Sequence, residues 1–414
     1  MEFDIFELSN GLRVVHKPVK RPVAHLGLSI AAGSRDEGPQ EEGLAHFIEH
    51  CLFKGTQRRR AYHILSRMEN VGGELNAYTS KEETVLYSSF LKEYYPRALE
   101  LLTDVAFHST FPLHECRKEQ EVILDEINAY RDTPSERIFD EFEDQLFAKH
   151  PLGHNILGTP QSVRQLGPEK AQHFMQRLYG LNRMVVSSVG NISSPKLKQW
   201  LERYLGHHKA WAPERTTELP PTLPQQKTEQ HPGFQSHAIL GFQAYPAYHA
   251  KSRVLMLLSN LLGGPGMNSR LNLNIREKYG FTYHLESFYQ PYSDTGLFGI
   301  YLGTDPGTVN RALQLVQKEL RRLRDQKLGT LQLSKAKKQL LGQIAMAREN
   351  NNALMLSYGK SLLTHNTIDT FADIAEKVEA ITAEELQEVA REIMAPERAG
   401  QLIYQAQVPE HELL

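Results

Sequence analysis

The sequence predicts an α+β protein, with mainly antiparallel sheets and helices gathered on one face of each. Three observations carry that expectation. The 414 residues exceed what one ordinary hydrophobic core supports, since domains run to roughly 100–200 residues. The helical stretches come in runs between groups of strands and do not alternate strictly with them, as a parallel sheet would require. A segment containing Pro213, Pro220, Pro221, Pro224 and Pro232 has linker composition and little apolar periodicity. It divides the chain into a domain over 1–208, a linker over 209–232 and a domain over 233–414.

The elements of the first half follow in order. Residues 12–16 and 24–31 read as strands. Residues 42–54 read as a buried helix that stops at Gly55, and 61–71 as a second helix ended by Gly72 and Gly73. Two strands come next, over 74–79 and 83–90, and then three helices, over 95–109, 113–131 and 134–148. A strand over 185–189 and a helix over 195–206 close the half.

The second half repeats the first weakly. The run Arg97-Ala98-Leu99-Glu100-Leu101 recurs as Arg311-Ala312-Leu313-Gln314-Leu315. At one constant offset Lys118 matches Lys335, Leu124 matches Leu341, Ile127 matches Ile344 and Arg131 matches Arg348. Such matches are few and fall on common residue types, so by themselves they leave an internal duplication open. The differences are informative. Glu126 meets Gln343, and nothing in the second half answers His46-Phe47-Ile48-Glu49-His50.

Composition excludes several function classes. Hydrophobic residues make up 40 % and charged residues 23 % of the chain, as in soluble globular proteins. A net charge of −2 gives no field that would draw nucleic acid or an anionic membrane. No window approaches the roughly 18 uninterrupted apolar residues of a membrane span. The N-terminus carries acids and no basic stretch, so no signal peptide is expected and a bacterial cytoplasm is the expected location. The two cysteines, Cys51 and Cys116, indicate no disulfide framework.

The chemistry gathers at His46, Glu49 and His50. At i, i+3 and i+4 they share one helical face. Two imidazoles one turn apart can converge on a single zinc ion, and the carboxylate between them can take a proton from a water held there. Leu44, Ala45, Phe47, Ile48, Cys51, Leu52 and Phe53 surround them. Ionisable groups in so apolar a run are costly to bury unless paired or bound to a metal. A catalytic zinc needs a third protein ligand. The acid-rich helix over 113–131 offers Glu119 and Glu126, seven residues apart on one face. Spacing does not choose between them.

The stretch from Gly43 through His46-Phe47-Ile48-Glu49-His50 to Lys54-Gly55-Thr56 resembles the signature of the pitrilysin/insulinase-type zinc peptidases with the inverted His-x-x-Glu-His motif. It is most similar to the branch containing mitochondrial processing peptidase and two-domain bacterial peptidases. Further similarity runs through Gly73-Glu74-Leu75-Asn76-Ala77-Tyr78-Thr79-Ser80, through Glu119 to Tyr130, and through Arg276 to Tyr283. Both halves are therefore covered, which implies two structurally similar α/β-roll domains, only the first of which binds zinc.

The resemblance implies one Zn²⁺ per chain, held by His46, His50 and Glu126, the last lying 76 residues beyond His50. It implies Glu49 as general base and Glu119 as a support behind the ligands. Asn76 and Ala77 would lie on an edge strand to which an extended peptide adds. Arg276 would hold the substrate backbone and Tyr283 would donate to the developing oxyanion. In similar enzymes this pair comes from the opposing half of a clamshell chamber. One chain of this length makes one half, so a homodimer with Arg276 and Tyr283 acting in trans is expected. The expected activity is endopeptidase action on extended peptides or unfolded segments. The alternative is a non-catalytic or partner-dependent subunit of a heteromeric assembly similar to the processing peptidase; such subunits typically lose motif residues that this chain keeps.

Overall fold

A computed structural model describes residues 2–148, 150–209, 211 and 224–407. The first half runs β1 (Asp4–Glu7), β2 (Arg13–Pro18), β3 (Val23–Ile30), α1 (Leu44–Leu52), α2 (Ala61–Glu69), β4 (Glu74–Thr79) and β5 (Thr84–Leu91). It continues with α3 (Tyr95–His108), α4 (Leu113–Arg131), α5 (Pro134–Leu146), α6 (Pro160–Val163), α7 (Pro168–Leu178), β6 (Met184–Gly190) and α8 (Ser194–Leu205). The second half runs β7 (Gln226–Pro232), β8 (Ser236–Ala244), α9 (Ser252–Gly263), a π-helical stretch (Asn272–Glu277), β9 (Thr282–Pro291) and β10 (Gly296–Thr304). It ends with α10 (Val309–Asp325), α11 (Thr330–Ala347), α12 (Asn351–His365), α13 (Phe371–Ala380), α14 (Ala383–Ile393) and β11 (Gly400–Gln407).

The expected elements of the first half are present, with ends shifted by a few residues. Missing from the expectation were β1, α6 and α7. Pro213, Pro220 and Pro221 of the expected linker lie outside the described residues. The last part of that segment is a strand, β7. Its exposed, polar sequence QKTEQHP suits a sheet edge, where unpaired backbone and a terminal Pro232 are tolerated.

Two sheets form. Their orders are β1-β2-β6-β3-β5-β4 and β7-β11-β8-β10-β9. Without β1 the two orders are the same in chain sequence: first, last, second, fourth, third. In each, the first and last strands are parallel, β2 with β6 and β7 with β11, and every other pair is antiparallel. The helices keep the same order too, so α4 and α11 occupy equivalent places. The offset that the sequence showed between their residues is thus a repeat in the fold.

The cores alternate along the strands. Val14, Leu26, Leu28 and Val186 face the main core of the first sheet, built with α1, α3, α4, α7 and α8. Val15, Val185 and Val189 point the other way, onto Leu354, Met355, Tyr358 and Leu362 of α12. Covered on both faces, β6 is buried along its whole length, and its sequence therefore shows no polar alternation. The approach of α12 is close: a Cβ at Gly27 would come within 2.6 Å of Met355 Sδ, and one at Gly359 within 2.6 Å of Ser29 Oγ.

The second sheet is built alike. Leu240, Phe242, Ile300 and Leu302 face a core with α9, α10, α11 and α14, while Ile239, Tyr301, Leu402 and Tyr404 face Ile138, Phe142 and Leu146 of α5. The compact units are accordingly discontinuous. The first comprises Met1–Ala129, His154–Thr216 and Met346–Thr370; the second comprises Tyr130–Gly153, Thr217–Ala345 and Phe371–Leu414. Each takes one helix, α5 or α12, from the other half of the sequence. No described helix is long and apolar enough to cross a membrane.

Candidate metal centre

Helix α1 starts where the chain turns through Gly43, whose φ of +86° is left-handed. A side chain there would be strained, and its Cβ would meet Leu157 O at 2.8 Å. The start is held by Glu37, whose carboxylate accepts the N–H of Gly43 at 3.0 Å and of Ala45 at 2.8 Å. It satisfies two of the donors a helix N-terminus leaves unpaired. Burial pushes the Glu37 carboxyl up to about 8, against those two hydrogen bonds.

From this start the apolar residues of α1 enter the core, and His46, Glu49 and His50 fall together at one side. The two imidazoles stand edge to face with centroids 4.6 Å apart. Helix α4 buries Cys116, Ile123, Leu124 and Ile127, which brings its acids to the same place. Glu126 Oε2 lies 3.8 Å from His46 Nε2 and 3.6 Å from His50 Nε2. One donor atom from each of these three residues lies within 4.8 Å of the others, and among the described residues no other group of His, Cys, Asp and Glu does this. Ligands bound to a tetrahedral zinc at about 2.0–2.1 Å stand roughly 3.3 Å apart. Small side-chain adjustments close that gap, so the donor set fits the metal.

Electrostatics favour the same use. Burial, helped by His50, lowers the His46 pKa to about 4, so this imidazole is neutral at pH 7 and its lone pair is available. The Glu49 carboxyl is raised chiefly by burial; Thr79 and His50 draw it back down, and Glu126 raises it. Glu119 stands behind the imidazoles. Its Oε2 is 3.1 Å from His50 Nδ1, and its Oε1 is 2.7 Å from Lys54 Nζ. The two acids that spacing left equivalent thus face different nitrogens of His50.

The other predicted residues are also located. Asn76 and Ala77 lie on β4, which among the described residues pairs only with β5 and so forms the outer edge of the first sheet. Asn76 is exposed, and Ala77 packs on the core. Tyr78 packs edge-on against Tyr87 and donates to Glu83. Arg276 sits in the π-helical stretch and Tyr283 near the start of β9, the edge strand of the second sheet. Both are exposed, Tyr283 to 66 %. They belong to the second unit and His46, His50 and Glu126 to the first. Cys51 and Cys116 are free and buried in the core. Sequence reasoning missed Glu37, Thr79 and Lys54. Lys54 carried a usable signal, lying four residues beyond His50 on the line of α1.

Residues 13–160 match the family described as Insulinase (Peptidase family M16), and residues 165–340 match the Peptidase M16 inactive domain. The chain is 32 % identical to the uncharacterized zinc protease YmxG of Bacillus subtilis, over 96 % of this chain and 97 % of that one. It is 31 % identical to an uncharacterized zinc protease of Streptomyces coelicolor, over 94 % of this chain and 86 % of that one. The chain belongs to the insulinase family of peptidases, family M16. In fold it matches a protease from Helicobacter pylori, with a TM-score of 0.89, 20 % identity and coverage of 97 % and 99 %. It also matches a Pseudomonas fluorescens structure titled as the peptidase M16 inactive domain, with a TM-score of 0.91, 20 % identity and coverage of 99 % of both chains.

Proposed function

We propose that this chain is a zinc-dependent endopeptidase of the inverted His-x-x-Glu-His type, in the branch similar to mitochondrial processing peptidase. The observation that carries this reading is the convergence of His46 Nε2, His50 Nε2 and Glu126 Oε2 beside a partly buried Glu49. Relatives that match nearly the whole chain bear the name zinc protease, which supports the same metal and reaction.

His46, His50 and Glu126 hold one zinc per chain. When bound, zinc supplies Lewis acidity that polarises a peptide carbonyl and makes a water nucleophilic at neutral pH. Glu49 takes the proton of the attacking water and delivers it to the leaving amine. The free edge of β4 at Asn76 and Ala77 takes an extended peptide by main-chain hydrogen bonds. Tyr283 and Arg276 come from a second copy of the chain, so that the homodimer encloses the substrate, an unfolded segment or peptide. Tyr283 donates to the developing oxyanion and Arg276 holds the backbone. Action in a bacterial cytoplasm belongs to the same proposal.

Hydrolysis of a quenched-peptide panel by the purified chain, with its mass measured in solution, tests this reading. A dimer whose activity is removed by a chelator and restored by zinc is the expected result. An inactive lone chain that gains activity only with a different partner would favour the heteromeric alternative.

A further inference from the structure

One oxygen of Glu119 faces the imidazole of His50. The other oxygen is held by Lys54, so that Lys54 Nζ, the Glu119 carboxylate and His50 Nδ1 form a continuous chain, with steps of 2.7 Å and 3.1 Å. The Glu119 side chain is only 9 % exposed. A buried carboxylate needs both oxygens occupied, and Lys54 is the partner that occupies Oε1. With Oε1 fixed, the carboxylate cannot rotate about its last bond, and Oε2 stays on His50 Nδ1.

This fixes the imidazole. An N–H at Nδ1 that donates to Glu119 leaves Nε2 with a free lone pair, on the side where Glu126 stands at 3.6 Å. His46 lacks such a support: its Nδ1 is buried with no hydrogen-bond partner among the described residues. His50 is therefore the ligand whose tautomer the fold selects, and the selecting group is anchored by Lys54, in the turn just after α1 ends at Leu52.

We infer that Lys54 is a positioning residue of the metal centre: acting through Glu119, it holds His50 in the tautomer and orientation that bind zinc. The inference rests on the proposed metal reading and adds to it a residue that touches neither metal nor substrate.

Zinc affinity of the purified full chain, measured by equilibrium competition with a chelator, tests this directly. The variants are Lys54→Met, Lys54→Gln, Lys54→Arg, Glu119→Gln and the double variant Lys54→Met/Glu119→Gln. Loss of a support behind a ligand lowers metal affinity by roughly 10–100-fold. Lys54→Met and Lys54→Gln are expected to bind zinc about tenfold more weakly. Lys54→Arg, which keeps the charge and donors, is expected within a few-fold of the parent. Because the effect passes through Glu119, the double variant is expected to bind no more weakly than Glu119→Gln alone. The melting temperature of the zinc-free protein is read beside each affinity, and folded Lys54→Gln serves if Lys54→Met does not fold. Parental affinity in the Lys54 variants overturns this inference alone, as does full additivity of the two changes. A parent chain that takes up no zinc overturns the metal reading, and this inference with it.

Discussion

His50 and Glu119 meet at 3.1 Å through Nδ1, while the opposite nitrogen of the same ring faces Glu126. One imidazole therefore separates two acids that the sequence presents as equivalent positions on a helical face. The two acids should fail differently when changed. Glu119→Gln is expected to weaken zinc binding by roughly 10–100-fold, and Glu126→Gln, which removes a donor from the converging set, by more than that. Chelator competition ranks them; a larger loss in Glu119→Gln would exchange their roles.

The start of α1 makes a second prediction. Gly43 has φ +86°, and an added Cβ would lie 2.8 Å from Leu157 O. Gly43→Ala is expected to cost at least about 1–2 kcal/mol from the left-handed backbone alone, measured by urea unfolding. Displacement of α1 should weaken zinc binding in the same variant.

Glu37 makes stability depend on pH. In the folded chain its carboxyl holds a proton up to about pH 8, against 4.5 for the free group. Between those values the folded state binds more protons than the unfolded one, so stability falls as pH rises. The contribution is fully present below about pH 4.5 and lost through about pH 8. Glu37→Gln cannot ionise. Its melting temperature is expected to vary less with pH across that window than the parent's, and an identical slope would contradict the assignment.

The helix taken from the far end of the chain predicts a stability effect remote from the metal. Met355 is fully buried between α12 and the first sheet. Met355→Ala is expected to cost roughly 2–5 kcal/mol in chemical unfolding. A cost near zero would mean that α12 does not cover that face.

Much of this was legible in the sequence because the signals are local. The apolar run around His46, Glu49 and His50 marks a buried helix, and the spacing of those three residues marks one face. Glycines and short alternating stretches mark most strands. What was missed is long-range or polar. Strand β7 carries no apolar alternation because a sheet edge does not need it. The apolar face of α5 is marked in sequence and that of α12 is not, and nothing local says that each packs on the sheet built mainly from the other half. Glu37 and Lys54 look like ordinary surface charges until the fold brings the first to the start of α1 and the second to Glu119. Glu119 and Glu126 shared a face by spacing, and the resemblance, not the spacing, favoured Glu126 as ligand.

The central claim is that zinc and Glu49 together hydrolyse peptides, with His46, His50 and Glu126 holding the metal whatever residue 49 is. Zinc content and kcat, measured side by side on the parent and Glu49→Gln, test it most directly. One zinc per chain in both proteins, with kcat lower by roughly 10²–10⁴-fold in the variant, is the predicted result. Undiminished hydrolysis by Glu49→Gln would contradict it.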